Sequence, residues 1–439
     1  MSGVKARRSE HMKKTQEISG DRLDALEDAY LRLLDGDDGS LRKAVHEFDG
    51  DVRVQALSTT GGDGGRREGD DGPVLLFVHG TSASSVGFAE AMKTIAAWSP
   101  YSELHAIDLP GFGRSPAFPR QPKETALRSF TSVIEKYVET VLGGRRVVLM
   151  GHSFGGFMCI HYASRFPHRV SKLVLVGAGG IYPLLGEWGN YCALFFKARL
   201  PQSLCRSLTR IPVVGRIAKR CVEGLIERAL SSPRDSAFAS YYLELLCDDR
   251  VQAHAYVGDF VDTKLRGSRW NAPALGELAT VLRRFRVPVC MIYGEFDAVT
   301  PSHQGTELTR IFPDDPLLRV EVIRGSGHAP YSDVGMRDFC AVVKSVLETT
   351  EPDSPPTPRG EEVDPEAVRR LLLPFRGTFN IERMRREVDT QYTILRREFM
   401  RGSPSPEQFL QTPQDDPEPE EVQGEQERRR QEEHRSHSG

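Results

Sequence analysis

The sequence predicts an α/β fold: a mostly parallel sheet of eight strands, helices on both faces, and a helical cap inserted between two strands. Three observations predict it. Short strand-like runs at Val74–Val78, Leu104–Ile107, Val147–Met150 and Val170–Val176, the first and third continuously apolar, alternate with helix-like segments, the rhythm of a parallel sheet buried on both faces. Three of those runs lead into polar, glycine-bearing loops: His79-Gly80-Thr81, Asp108-Leu109-Pro110-Gly111 and Gly151-His152-Ser153. Residues 181–286 then break the rhythm with a long helix-prone stretch, before two further strand-like runs at Val287–Tyr293 and Leu318–Ile323.

Taken in order, residues 1–43 form an extension whose first 20 residues are expected to be disordered. Asp21–Leu34 carries Leu23, Leu26, Tyr30, Leu33 and Leu34 as a helical stripe, with Asp21 as cap and Gly36 as stop. The first half of the core runs from 44 to 180. Ala44–Phe48 and Val52–Leu57 read as a hairpin around Asp49-Gly50, and residues 59–72, rich in glycine and charge, as a loop. Lys123–Leu142 and Phe157–Phe166 read as helices, the second with Pro167 just beyond it. The insertion at 181–286 opens with Trp188, Tyr191, Phe195 and Phe196, followed by Lys197, Arg199, Arg206, Arg210, Arg216, Lys219 and Arg220. That mixture reads either as a surface for anionic lipid or a long acyl chain, or as a solvated basic face on core helices. Residues 287–348 complete the core. From 349 to 439 Pro, Asp, Glu, Ser and Arg dominate, and the low hydrophobicity implies disorder. One island near 381–400 repeats Ile381, Met384, Val388, Tyr392, Leu395 and Phe399 at intervals of three and four. It predicts an amphipathic helix that docks on the domain itself, on a protein partner or on a membrane surface, and the sequence does not say which.

Composition removes several classes of function. The 439 residues carry a formal net charge of −3, which argues against a general nucleic-acid binder. The 7 cysteines form no Cys-x-x-Cys pair, so neither a metal framework nor a disulfide framework is expected, and an odd count without a secretory signal fits a reducing compartment. Lys5, Arg7, Arg8, Lys13 and Lys14 open a presequence reading that Glu10 and Glu17 interrupt. No run reaches the roughly 18 apolar residues of a membrane span. The expectation is a cytoplasmic protein, soluble or peripheral to membranes or lipid droplets.

The chemistry centres on Gly151-His152-Ser153-Phe154-Gly155-Gly156. A strand must reverse sharply into a helix with Ser153 at the tip, and bulk two residues either side would clash with neighbouring chain, which Gly151 and Gly155 avoid. Composition alone yields Gly-x-Ser-x-Gly about 0.1 times in such a chain, so the context has to decide. Asp297 follows the Val287–Tyr293 run in Gly294-Glu295-Phe296-Asp297, and His328 follows the last run in Gly325-Ser326-Gly327-His328. A lone histidine or aspartate is bland. Ser153, Asp297 and His328, in that order and each after a strand, are the set for nucleophilic acyl transfer: nucleophile, orienting acid and general base. Backbone N–H groups of Thr81, after Gly80, and of Phe154 are the expected oxyanion donors. Asp108 precedes the serine and reads as a structural loop carboxylate. No metal or cofactor is expected.

These motifs, with Asp108-Leu109-Pro110-Gly111-Phe112-Gly113-Arg114-Ser115, resemble the α/β-hydrolase superfamily over residues 44–348. Within it, Asp108 through Phe118-Pro119-Arg120 and Gly151 through Pro167 are similar to the branch of N-acylphosphatidylethanolamine lipases and the lipase coactivator of lipid droplets. The resemblance implies a serine hydrolase of carboxylic esters, with lipid acyl esters such as lysophospholipids as substrates. The coactivator has asparagine where this chain has Ser153, so the resemblance implies a competent enzyme. The branch also carries a His-x₄-Asp pattern discussed as an acyltransferase motif. His328 and Asp333 fit it, although an acidic residue at that spacing also starts the last helix in much of the superfamily. Two alternatives stand beside the esterase. One is a peptidase of the proline-iminopeptidase type, which would need carboxylates in a cap that begins basic. The other is a non-catalytic lipase regulator or scaffold that recruits partners through its tails.

Overall fold

Eight strands form one sheet in the order β1-β2-β4-β3-β5-β6-β7-β8. They are β1 Leu41–Phe48, β2 Val52–Thr59, β3 Val74–Val78, β4 Glu103–Ile107, β5 Val147–His152, β6 Val170–Val176, β7 Val289–Gly294 and β8 Leu318–Ile323. The computed structural model describes most of residues 25–34, 40–48, 52–59, 74–98, 103–116, 123–181, 211–217, 220 and 273–349. The stretch 1–20, most of the inserted segment, Asp333 and the tail from 350 with its amphipathic island lie outside the described residues.

β1 and β2 are the antiparallel hairpin expected around Asp49-Gly50, with Phe48 opposite Val52, and β2 runs antiparallel to β4. All other neighbours are parallel. Among the described residues the helices that flank the sheet are α1 Ala89–Trp98, α2 Lys123–Thr140, α3 Phe154–Arg165, α4 Pro273–Arg283, α5 His303–Ile311 and α6 Met336–Glu348. The chain steps from β3 out to β4 and then back past β3 to β5. Right-handed crossovers therefore put α1 and α2 on opposite faces.

The side chains obey the strand period of two. Leu75 and Phe77 of β3, Val148 and Met150 of β5, and Val174 and Val176 of β6 share a core with α1 and α6. Their alternates, Leu76, Val78, Leu149, Leu173 and Leu175, share the other core with α2, α3 and α4. Both faces of these strands are buried, which explains the continuous apolar runs of Val74–Val78 and Val147–Met150.

Element boundaries differ from the sequence reading by a few residues, and two of the differences lie in the second half of the core. β7 begins at Val289 because Pro288 has no N–H to donate; its carbonyl accepts from Leu173 N–H at 2.9 Å instead. The sequence reading places residues 273–286 in the cap, yet Ala274, Leu275, Leu278, Val281 and Leu282 are buried in the core shared with α2 and α3. Their spacing of three and four makes α4 a core helix rather than a cap helix. Among the described residues no helix is long and apolar enough to cross a membrane.

Candidate active site

Every sequence-predicted site residue sits at the carboxyl ends of the strands. Ser153 follows β5, Asp297 lies three residues past β7, His328 five past β8, and the His79-Gly80-Thr81 loop follows β3. This is the edge where parallel sheets present loops and helix N-termini.

Ser153 joins β5 to α3 with φ 52 and ψ −116, a conformation an L-residue adopts only under constraint. The constraint is visible. Ser153 N–H donates to Val176 O at 2.9 Å, and its own carbonyl accepts from Gly179 N–H at 2.9 Å. A Cβ on Gly155 would come 2.2 Å from Val78 O, and one on Gly151 would come 2.5 Å from Gly155 O. The strand and helix therefore meet closely enough only with glycine at both positions. Ser153 is half-buried at the tip.

Asp297 is fully buried. One carboxylate oxygen accepts the N–H groups of Val299 and Thr300, each at 2.8 Å. The other accepts Thr300 Oγ1–H at 2.8 Å and His328 Nδ1–H at 2.8 Å. A carboxylate only accepts, so the His328 proton lies on Nδ1, and a neutral ring leaves Nε2 bare to take a proton.

The β3 loop lies against the serine. A Cβ on Gly80 would fall 2.9 Å from Ser153 Cβ, so the backbone leading to Thr81 passes directly beside the elbow. Buried His79 braces this loop: its Nδ1–H donates to Gly80 O at 2.7 Å, and its Nε2 accepts Leu109 N–H at 3.0 Å. Burial pushes the His79 pKa below the usual imidazole value, which suits a neutral ring that both donates and accepts. Phe154 is the first residue of α3, so its backbone N–H lies at the positive end of the helix dipole. Asp108 is a brace, as expected. Its carboxylate accepts Ser85 N–H at 2.6 Å and Arg114 N–H at 2.9 Å.

A family model of the alpha/beta hydrolase fold matches residues 73–333. The chain belongs to the α/β-hydrolase fold family. Among curated relatives, this α/β hydrolase is 29% identical over 300 residues to a (lyso)-N-acylphosphatidylethanolamine lipase of Homo sapiens, covering 65% of this chain and 82% of the relative. It is 28% identical over 263 residues to a protein of Sus scrofa named 1-acylglycerol-3-phosphate O-acyltransferase ABHD5, covering 56% of this chain and 70% of that one. Among solved structures, a serine hydrolase from Cycloclasticus zankles superposes with a TM-score of 0.53 at 18% identity, over 70% of this chain and 98% of that one. That likeness is one of fold.

Three residues at the α/β-hydrolase site were not identified from sequence. Thr300 holds Asp297 as described. His152, the residue before Ser153, is buried with its ring centroid 4.7 Å from that of His328, and its Nε2 lies 2.9 Å from His328 O. Tyr331 OH lies 3.1 Å from His152 Nδ1. Burial, and then the neighbouring His328, push the His152 pKa well below the usual imidazole value. Thr300 had a faint signal, a hydroxyl three residues past an aspartate. The pairing of His152 with Tyr331 had none.

Proposed function

We propose that this chain is a serine hydrolase of carboxylic esters, acting through Ser153, His328 and Asp297. One observation carries the reading: the buried Asp297 carboxylate accepts His328 Nδ1–H at 2.8 Å, on the same sheet edge as a serine held at φ 52. His328 Nε2 removes the Ser153 proton as Oγ attacks the ester carbonyl carbon. The oxyanion is met by the N–H groups of Phe154 and Thr81. Collapse of the tetrahedral adduct expels the alcohol, which takes the proton back from His328. Water, deprotonated by the same imidazole, then hydrolyses the acyl-enzyme and restores Ser153.

Lipid acyl esters are the proposed substrate class. The names of the lipase relatives support it at 28–29% identity. A described turn of the insertion also supports it. At 212–217 the exposed Val213 and Ile217 share one helical face with exposed Arg216, an apolar and cationic surface suited to an anionic lipid interface. The name of the Sus scrofa relative favours a second reading, in which an alcohol replaces water as acyl acceptor on the same acyl-enzyme.

The test is fluorophosphonate labelling of wild type and Ser153→Ala, followed by turnover of p-nitrophenyl esters of graded chain length. Labelling lost in Ser153→Ala, with turnover rising toward long chains, is expected. A well-folded wild type that takes no label would overturn the enzyme and leave the non-catalytic regulator.

A further inference from the structure

Ser153 and His328 follow different strands, and attack requires their separation to be fixed to a fraction of an ångström. Asp297 holds only the imidazole end of His328. The backbone of the loop that carries His328 is held from elsewhere. Phe296 N–H donates to Ser326 O and the Glu295 carboxylate accepts Gly325 N–H, each at 2.8 Å, while the carbonyl of His328 itself is met by His152, covalently next to Ser153.

We infer that His152 is a positioning residue, tying the His328 loop to the nucleophile's own strand through the His328 carbonyl, with Tyr331 fixing the tautomer in which it can do so. This rests on the serine-hydrolase reading above. The proton assignment follows from the partners. The His328 carbonyl can only accept, so His152 Nε2 carries the hydrogen across 2.9 Å. A neutral ring then has a bare Nδ1, which accepts the Tyr331 hydroxyl at 3.1 Å. Burial beside His328 keeps the ring neutral.

Tyr331 is itself anchored. Its ring packs against Phe88 at 4.5 Å and Phe339 at 6.0 Å between centroids, both in the core shared with α1 and α6. The ring of His152 also lies against the β3 loop, where a Cβ on Gly80 would sit 2.7 Å from Nδ1. The ring is therefore wedged between the loop of the proposed oxyanion donor and the loop of the proposed base.

The test compares His152→Leu, which keeps bulk and removes the donor, with His152→Gln, whose amide can restore an N–H near the Nε2 position. For the ester turned over best, His152→Leu should lower kcat by about 10–100-fold with KM within twofold. His152→Gln should recover most of kcat, and Tyr331→Phe should fall between. A merely structural role would lower Tm without changing kcat per labelled active site. Backbone hydrogen exchange supplies a readout independent of turnover. In His152→Leu, residues 325–332 should exchange at least tenfold faster while α2 stays unchanged. Wild-type kcat in His152→Leu, or unchanged exchange in that loop, overturns the tether. Absence of label on the wild type together with faster loop exchange would instead overturn the serine chemistry and leave the tether standing.

Discussion

At the residue scale, the proposed site depends on how rigidly Asp297 presents one oxygen to His328. That oxygen also accepts Thr300 Oγ1–H, so the hydroxyl competes for lone-pair directions and steers the carboxylate. Thr300→Val is nearly isosteric. It keeps the backbone N–H bond to the other oxygen and removes the hydroxyl's bond to this one, together with its longer contact with His328 Nδ1 at 3.4 Å. We expect kcat to fall about fivefold to tenfold at unchanged KM, with a stability loss of about 1 kcal/mol for one neutral hydrogen bond. Replacing the acid itself, Asp297→Asn, should cost about 10⁴ in kcat by leaving the imidazole in the wrong tautomer. Steady-state kinetics on both variants checks the ranking; equal losses would mean that Thr300 does more than orient. Ser153, Asp297 and His328 were legible because each sits in a local pattern at a strand end. Thr300, His152 and Tyr331 were not, because their roles are pairwise. His152 and Tyr331 are 179 positions apart, and nothing near either one names the other.

At the element scale, the strands were readable to within a few residues because burial on both faces makes the central ones largely apolar. The errors have specific causes. β5 extends past Met150 through Gly151 and His152, polar or side-chain-free residues that interrupt the hydrophobic signal but keep the ladder with β6. α3 begins at Phe154 rather than Phe157, because the elbow lets the helix start immediately after Ser153. Between elements, one contact carries a prediction. Lys172 of β6 is buried, and its Nζ donates to the carbonyls of Val346 at 2.6 Å and Leu347 at 3.4 Å, and also to Thr349 O. These are the unpaired carbonyls at the C-terminus of α6, where a cation is also favoured by the helix dipole. Lys172→Met fills the space and abandons the acceptors. A loss of about 2–3 kcal/mol in urea unfolding is expected, since hydrogen bonds to a charged group are the strong ones. An unchanged midpoint would mean that water replaces the ammonium and that this end of α6 is open to solvent.

At the scale of the whole molecule, topology gathers one edge. Parallel strands send all their carboxyl ends the same way, so loops from β3, β5, β7 and β8 converge although 249 residues separate Gly80 from Ala329. The inserted segment leaves the core after Ile181, just past β6, and returns at Pro273, so its connection to the fold begins on that same edge. Composition marked this segment as apolar and basic. Burial adds that Val213 and Ile217 are 57% and 58% exposed, with Arg216 and Arg220 exposed beside them. Immersing two aliphatic side chains is worth about 1.5–3 kcal/mol each, and each cation near an anionic surface about 1 kcal/mol. Replacing both aliphatics with glutamate should therefore weaken vesicle binding by at least tenfold. The measurement is co-sedimentation of wild type and Val213→Glu/Ile217→Glu with phosphatidylcholine vesicles, with and without phosphatidylserine. Wild type should bind the anionic vesicles more tightly, and less so as salt rises. The double variant should lose that binding while turning over a water-soluble short-chain ester at the wild-type rate, because neither residue belongs to the proposed chemistry. Equal binding of both proteins would remove this turn from any lipid contact. Failure of the wild type to bind would shift the proposed substrates from membrane lipids to esters free in solution.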